Sequence, residues 1–145
     1  MSDLITFKEN NVRNTISYFA NLPKRMRAGC RNALEASGEM MRIYTVDKIL
    51  KSPKGYKRYY HPTVGRTFSS YPGAYPANQS GDLAKSIKFI VLSPLQMLFG
   101  SDIVYAKWLE DGTKKMDARP FLLPSIMDLE FHTMQNLRCY TRAEM

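Results

Sequence analysis

Between Pro23 and Pro53 the chain carries its longest uninterrupted helical pattern, and everything else must pack against the rod this pattern forms. Met26, Cys30, Ala33, Leu34, Ser37, Met41, Tyr44 and Lys48 recur at steps of three and four, which places them on one stripe of a helix over 24–50. The stripe is rich in small and flexible residues: Ala33, Ser37, Gly38, Met40 and Met41. A glycine costs about 1 kcal/mol against alanine in a helix interior. Gly38 is therefore expected to serve the close approach of another backbone. The other side of the helix is a basic face of Lys24, Arg27, Arg31, Arg42 and Lys51, with Glu35 and Glu39 supplying local pairs. The small-residue stripe reads as core.

The flanking segments differ in kind. Ile5 and Phe7 alternate with polar neighbours as in a short edge strand. Asn10 and Asn11 offer helix caps, and 12–20 suits one short helix that Pro23 interrupts. After the long helix, 52–79 holds Pro53, Pro62, Pro72 and Pro76 with Gly55, Gly65 and Gly73. Proline removes backbone donors and glycine raises the entropy of ordering, so this stretch reads as a long loop. Loops of such length are usually functional or disordered. It also holds Tyr56, Tyr59, Tyr60, Tyr71 and Tyr75, with Arg58 and Arg66 among its few charges. Tyrosine is enriched at protein interfaces, so these seven residues are the candidate interface of an extended arm.

Beyond it, Ser80-Gly81-Asp82-Leu83-Ala84-Lys85-Ser86-Ile87 reads as a helical turn feeding a strand, with Ser80 as cap. Ile87, Phe89 and Val91 alternate with Lys88 and Ile90, which predicts a strand over 86–92. Ser93-Pro94 turns the chain, and 96–99 returns as the second strand of an antiparallel hairpin. A short helix follows over 104–111, with Tyr105, Trp108 and Leu109 on one face and Gly112 at a left-handed stop. Arg119-Pro120-Phe121 is expected to be extended, because a residue before proline avoids the helical region. Pro124 opens a last helix to about Arg142, with Ile126, Leu129, Met134 and Leu137 as its apolar face. Asp128 and Glu130 suit its N-terminal half. The expected fold class is α+β: a small antiparallel sheet packed against one long helix, with a C-terminal helix and a long Tyr/Pro-rich loop, in a single domain over 1–145.

Charge and composition narrow the function classes. The net charge is +8, with 13 Lys and Arg against 5 Asp and Glu through Arg66, and 8 against 8 beyond it. That asymmetry suits an anionic partner, either nucleic acid or an acidic protein face. No window approaches the roughly 18 apolar residues of a membrane span. The first residues lack the layout of a signal peptide, so a cytoplasm, or a particle assembled there, is the expected location. Cys30 and Cys139 lie far apart, and both are expected to be reduced and half-buried. His61 and His132 are isolated, so no metal or cofactor is expected. Glu110 and Asp111 are adjacent and diverge by about 100° on a helix. Carboxylate catalysis needs two groups facing one pocket, so no enzymatic activity is expected from them or from Asp117. A structural use of these residues is expected instead. Glu110 or Asp111 pairs with Arg119 to fix the loop holding Gly112 and Thr113, and Phe121 and Trp108 anchor that loop in the core.

The segment over 80–124 also carries a combination of separated motifs. Ser80, Gly81, Leu83, Ser86 and Ile87 follow Pro76; then come Tyr105-Ala106, Trp108, Leu109-Glu110-Asp111-Gly112-Thr113, Met116, and Arg119-Pro120-Phe121-Leu122 with Pro124. This pattern resembles the small neck proteins of tailed bacteriophages, the head–tail joining or tail-completion family. The resemblance implies a virion structural subunit, a minor tail component that assembles as a homo-oligomeric ring in the neck. It implies neighbouring neck proteins as partners, a connector or head-closure ring on one side and a tail terminator or tail tube on the other. It also implies genomic DNA passing through the channel, no membrane, and a location in the virion after assembly in the host cytoplasm. The alternative from the residues themselves is a basic nucleic-acid-binding module using the Lys/Arg/Tyr-rich segment, since aromatic stacking and phosphate contacts bind single strands.

Overall fold

The computed structural model describes residues 24–55, 58–61 and 65–143. In chain order its elements are helix α1 (Lys24–Lys51), strands β1 (Arg58–His61) and β2 (Gly65–Phe68), helix α2 (Asp82–Ser86), strands β3 (Ile87–Ser93) and β4 (Gln96–Ser101), helix α3 (Val104–Asp111) and helix α4 (Leu122–Ala143). The class is α+β, with the long helix at the centre. The expected strand and helix before Pro23 lie outside the described residues.

The long helix forms as its periodicity predicts and runs between the two prolines. Its buried line is Cys30, Ala33, Ser37, Met41, Thr45 and Ile49. The expected stripe drifts from this line at its C-terminal end, where Tyr44 and Lys48 were placed. A strict i+4 step from Met41 reaches Thr45 and then Ile49, and Thr45 satisfies its buried hydroxyl by donating to the Met41 carbonyl at 2.8 Å. Lys48 stays in solvent with its ammonium 5.1 Å from the Tyr44 ring centre.

Two layers cover this line. On one side α4 packs along α1. Tyr44 Oη donates to Asp128 at 2.7 Å, and Asn136 Nδ2 donates to Ser37 Oγ at 3.1 Å, so the two helices run antiparallel. The inward face of α4 is Leu122, Ser125, Ile126 and Leu129, continued by Thr133, Asn136 and Leu137. Met134, expected on that face, is exposed. On the other side lies the β3–β4 hairpin, with Ile87 opposite Ser101, Phe89 opposite Phe99 and Val91 opposite Met97. Those positions face the helix, while Lys88, Ile90 and Leu92 face outward. Gly38 is the point of contact. A Cβ there would come within 2.7 Å of both the Phe89 ring and the Met97 sulfur. The close neighbour is a pair of side chains rather than the expected backbone.

The segment over 52–79 is more ordered than a long loop. It contains the antiparallel hairpin β1–β2, in which Arg58 pairs with Phe68 and His61 with Gly65. β-Branched and aromatic residues in this stretch favour strand pairing, and Gly65 supplies a positive φ of 79° at the start of β2. The other described residues of the segment are irregular, held by bonds within it and to the α3–α4 loop. Gly55 N donates to Ser69 O at 2.6 Å, Gly73 N to Ala118 O at 2.9 Å, and Gln79 Nε2 to Phe68 O at 2.7 Å. Cys30 is buried and Cys139 exposed, so the two thiols are not alike. Burial pushes the Cys30 thiol pKa up.

Candidate functional site

Several motif residues of 80–124 line one cleft, among them Gly81, Leu83, Tyr105, Leu109, Met116 and Arg119. Leu83 and Phe121 enter the core. Gly81, with φ of 85°, takes the cap position of α2, and Ser80 sits one residue earlier, its hydroxyl receiving the Asp82 amide at 3.4 Å. Ser86 ties the turn to the sheet, donating to the Leu83 carbonyl at 2.7 Å and lying 2.6 Å from Ser101 Oγ.

Glu110 does not make the expected pair with Arg119 and has another role. Its carboxylate accepts the backbone amides of Phe121 and Leu122 at 2.8 and 3.0 Å on one oxygen, and of Leu123 at 2.9 Å on the other. These are free amides of the first turn of α4, where a helix presents unpaired donors and the positive end of its dipole. A carboxylate from α3 thus caps α4 across a loop. The spacing works because the intervening chain folds back. Gly112 has the positive φ of 76° expected of a glycine stop, but its ψ of −177° is not that of a left-handed helical turn, and a Cβ there would meet the Ala118 nitrogen at 2.8 Å. Thr113 and Met116 then close a tight turn through amides at 2.8 and 3.2 Å, and Arg119 N returns to the Leu109 carbonyl at 2.7 Å. Pro120 follows, and it has no amide to satisfy.

Arg119 makes no ion pair with Glu110 or Asp111. It is 7% exposed; its Nε donates to Ser70 O at 3.2 Å and its Nη1 to Asp117 O at 3.0 Å. It therefore clasps the 69–79 segment to the α3–α4 loop. Trp108 is likewise not an anchor, being 54% exposed. The inward face of α3 is Ala106, Leu109 and Glu110, a set of i+3 and i+4 neighbours. Trp108 stands about 200° from Ala106 around the helix. Tyr105 is also partly exposed.

Between the 69–81 segment and α3 lies a cleft of about 410 Å³, lined by Ser70, Pro76, Leu83, Leu109, Met116 and Arg119 among others. Among the described residues no group of His, Cys, Asp or Glu could hold a metal ion, and no helix is long and apolar enough to cross a membrane.

The candidate interface tyrosines divide. Tyr56 lies outside the described residues; Arg58, Tyr59, Tyr60 and Arg66 stand at register positions of the β1–β2 hairpin. Tyr71 is 47% exposed. Tyr75 packs against the core cluster, with its hydroxyl 3.1 Å from Ser125 Oγ. On the basic face of α1, which begins at Lys24, Arg27 is exposed and the cations farther along have acidic neighbours. Arg31 pairs with Glu35 at 3.1 Å, Arg42 with Glu39 at 2.9 Å and Lys51 with Asp47 at 2.7 Å. These exposed pairs add little stability, but they neutralise much of the helix.

A different surface stands out. Leu123, Met127, Phe131 and Met134 of α4 are 56%, 67%, 65% and 52% exposed. At 100° per residue they fall within about 80° of one another, roughly opposite the face turned to α1. The helix is apolar on two sides, which is the pattern of a helix covered on both. The sequence held the signal in the i, i+4, i+8 spacing of Leu123, Met127 and Phe131, which a single-face reading of this helix passes over. Val104 and Trp108 of α3, and Ile90 and Leu92 of the sheet, are exposed as well. Comparison of the chain with protein-family models, with curated proteins and with solved structures finds no match.

Proposed function

We propose that this protein is a structural subunit that works by assembly, forming a homo-oligomeric ring like those in the neck of a tailed bacteriophage. The observation that carries the reading is the exposed apolar stripe of Leu123, Met127, Phe131 and Met134. Contiguous apolar patches of this kind on a soluble subunit mark interaction surfaces. A closed ring needs a heterologous interface, in which one patch meets a different patch on the next copy. The α4 stripe and the separate apolar outer face of β3 supply two unlike patches on one subunit. The motifs of 80–124 support the same reading from the family resemblance. In that setting the ring completes the tail or joins it to the head around the DNA channel, in contact with a connector or head-closure ring and with a tail terminator or tail tube. The nucleic-acid-binding alternative draws on the net charge of +8, but intrahelical pairs neutralise Arg31, Arg42 and Lys51 of the expected basic face.

The test is sedimentation velocity and electron microscopy of the full chain beside Phe131→Asp. Residue 131 faces solvent in the isolated subunit, so folding should be nearly unchanged while assembly is lost. Wild-type protein that stays monomeric at the highest attainable concentration, or an equally stable variant that still assembles, would refute the reading.

A further inference from the structure

Arg119 is a buried cation with no counter-charge among the described residues. Among the described residues no carboxylate lies within 4.0 Å of its guanidinium. Two carbonyls accept from Nε and Nη1, and a guanidinium carries more donors than these two acceptors use. The carboxylate of Glu110 is committed to the amides of α4. Asp117, the acid nearest in sequence, is exposed and presents its carbonyl, not its carboxylate, to the arginine. Beside Arg119 the hydroxyl of Ser70 is buried with no hydrogen-bond partner, in a residue only 3% exposed. Buried charges are normally paired and buried hydroxyls normally bonded.

Both residues line the cleft of about 410 Å³. That volume falls within the range of small-ligand sites, which combine apolar walls with a few convergent polar groups. Here Pro76, Leu83, Leu109 and Met116 provide apolar wall, and Arg119 and Ser70 are among the polar lining; the same two also border a smaller hollow of about 130 Å³. A planar guanidinium edge matches the two oxygens of a carboxylate, and a hydroxyl adds a further donor.

We propose that this cleft is a binding site for a carboxylate carried on an apolar stem, with Arg119 and Ser70 holding the anion. Two sources share that chemistry: a free short-chain acid, or a Glu or Asp side chain beside an apolar residue on another protein. The site is separate from the α4 stripe, and neither proposal requires the other.

Isotope-labelled full-length protein is titrated with butyrate and 3-phenylpropionate, with their neutral amides, and with acetyl-Phe-Glu-amide against its glutamine counterpart. Signals from the Arg119 Nε–H and the backbone amides of Ser70 and Met116 report on the cleft. The acids should give saturable shifts there, with binding at least about tenfold weaker for the neutral partners. Ser70→Ala removes an unpartnered hydroxyl, so it should leave the melting temperature unchanged and weaken acid binding about tenfold. Tighter binding of the peptide assigns the ligand to a protein chain, and tighter binding of the free acids to a small molecule. Absence of saturable shifts, equal response to acids and amides, or shifts confined to other residues would overturn the proposal.

Discussion

Removing the carboxylate of Glu110 tests whether α3 holds the start of α4 by capping. Its two oxygens accept three consecutive amides at 2.8, 3.0 and 2.9 Å. Losing an ordinary helix cap costs about 0.5–2 kcal/mol. Here the acceptor is charged, serves three donors and meets the positive end of a helix dipole, which adds about 0.3–1 kcal/mol. The amide of Leu123, an exposed residue, regains water when the carboxylate leaves, so the three bonds do not sum. Glu110→Ala is therefore expected to cost about 2–4 kcal/mol. Glu110→Gln keeps one acceptor oxygen and loses the charge, for about 1–2 kcal/mol. In a chain of this size each kcal/mol moves the melting temperature by about 3–4 °C. Urea unfolding followed by circular dichroism gives the free energy, and an unchanged dependence on denaturant shows that the end states are the same. Asp111→Ala is the control, since Asp111 is exposed on the same helix turn and should stay within about 0.5 kcal/mol. Glu110→Ala within that same margin would refute the cap.

Gly38→Ala should destabilise despite the better helix propensity of alanine, because the added carbon runs into the Phe89 ring and comes 2.7 Å from the Met97 sulfur. Overpacking of this sort costs about 1–3 kcal/mol, against a propensity gain of about 1 kcal/mol, and a stabilised variant in urea titration would contradict the packing described. Burial, partly opposed by the hydrogen bond to Ser125, holds the Tyr75 phenol above its ordinary value of 10.0. The hydrogen bond to Asp128, together with burial, does the same for Tyr44. The unfolded chain then loses these protons first, so stability present below about pH 10 should fall as pH rises beyond it. The slope of the urea midpoint against pH should be shallower in Tyr75→Phe, and an identical slope would remove Tyr75 from the account.

Much of the architecture was legible because it depends on local periodicity. The run between Pro23 and Pro53 could only be a long helix, and the alternation at Ile87, Phe89 and Val91 gave the strand that packs on it. The i+4 drift from Met41 to Thr45 was harder to read, because a threonine becomes a core residue only when its hydroxyl can turn back onto the helix. The hairpin within 52–79 was hidden by its prolines and glycines, which signal turns but do not say whether the stretches between them pair.

At the motif segment the residue types and the punctuation of Gly112 and Pro120 were enough to announce a fold-back between two helices. Which partner each side chain would take was not contained in them. Glu110 and Arg119 carry opposite charges, and charge alone suggests that they meet. The fold gives Glu110 three amides and Arg119 two carbonyls, because backbone groups at a helix start and in a tight loop need partners as much as side chains do. Local sequence thus determined the long helices, the β3–β4 strands and the inward side of β3. Only the tertiary arrangement decided which apolar faces stayed uncovered, since exposure depends on what lies across from a residue and not on the residue itself.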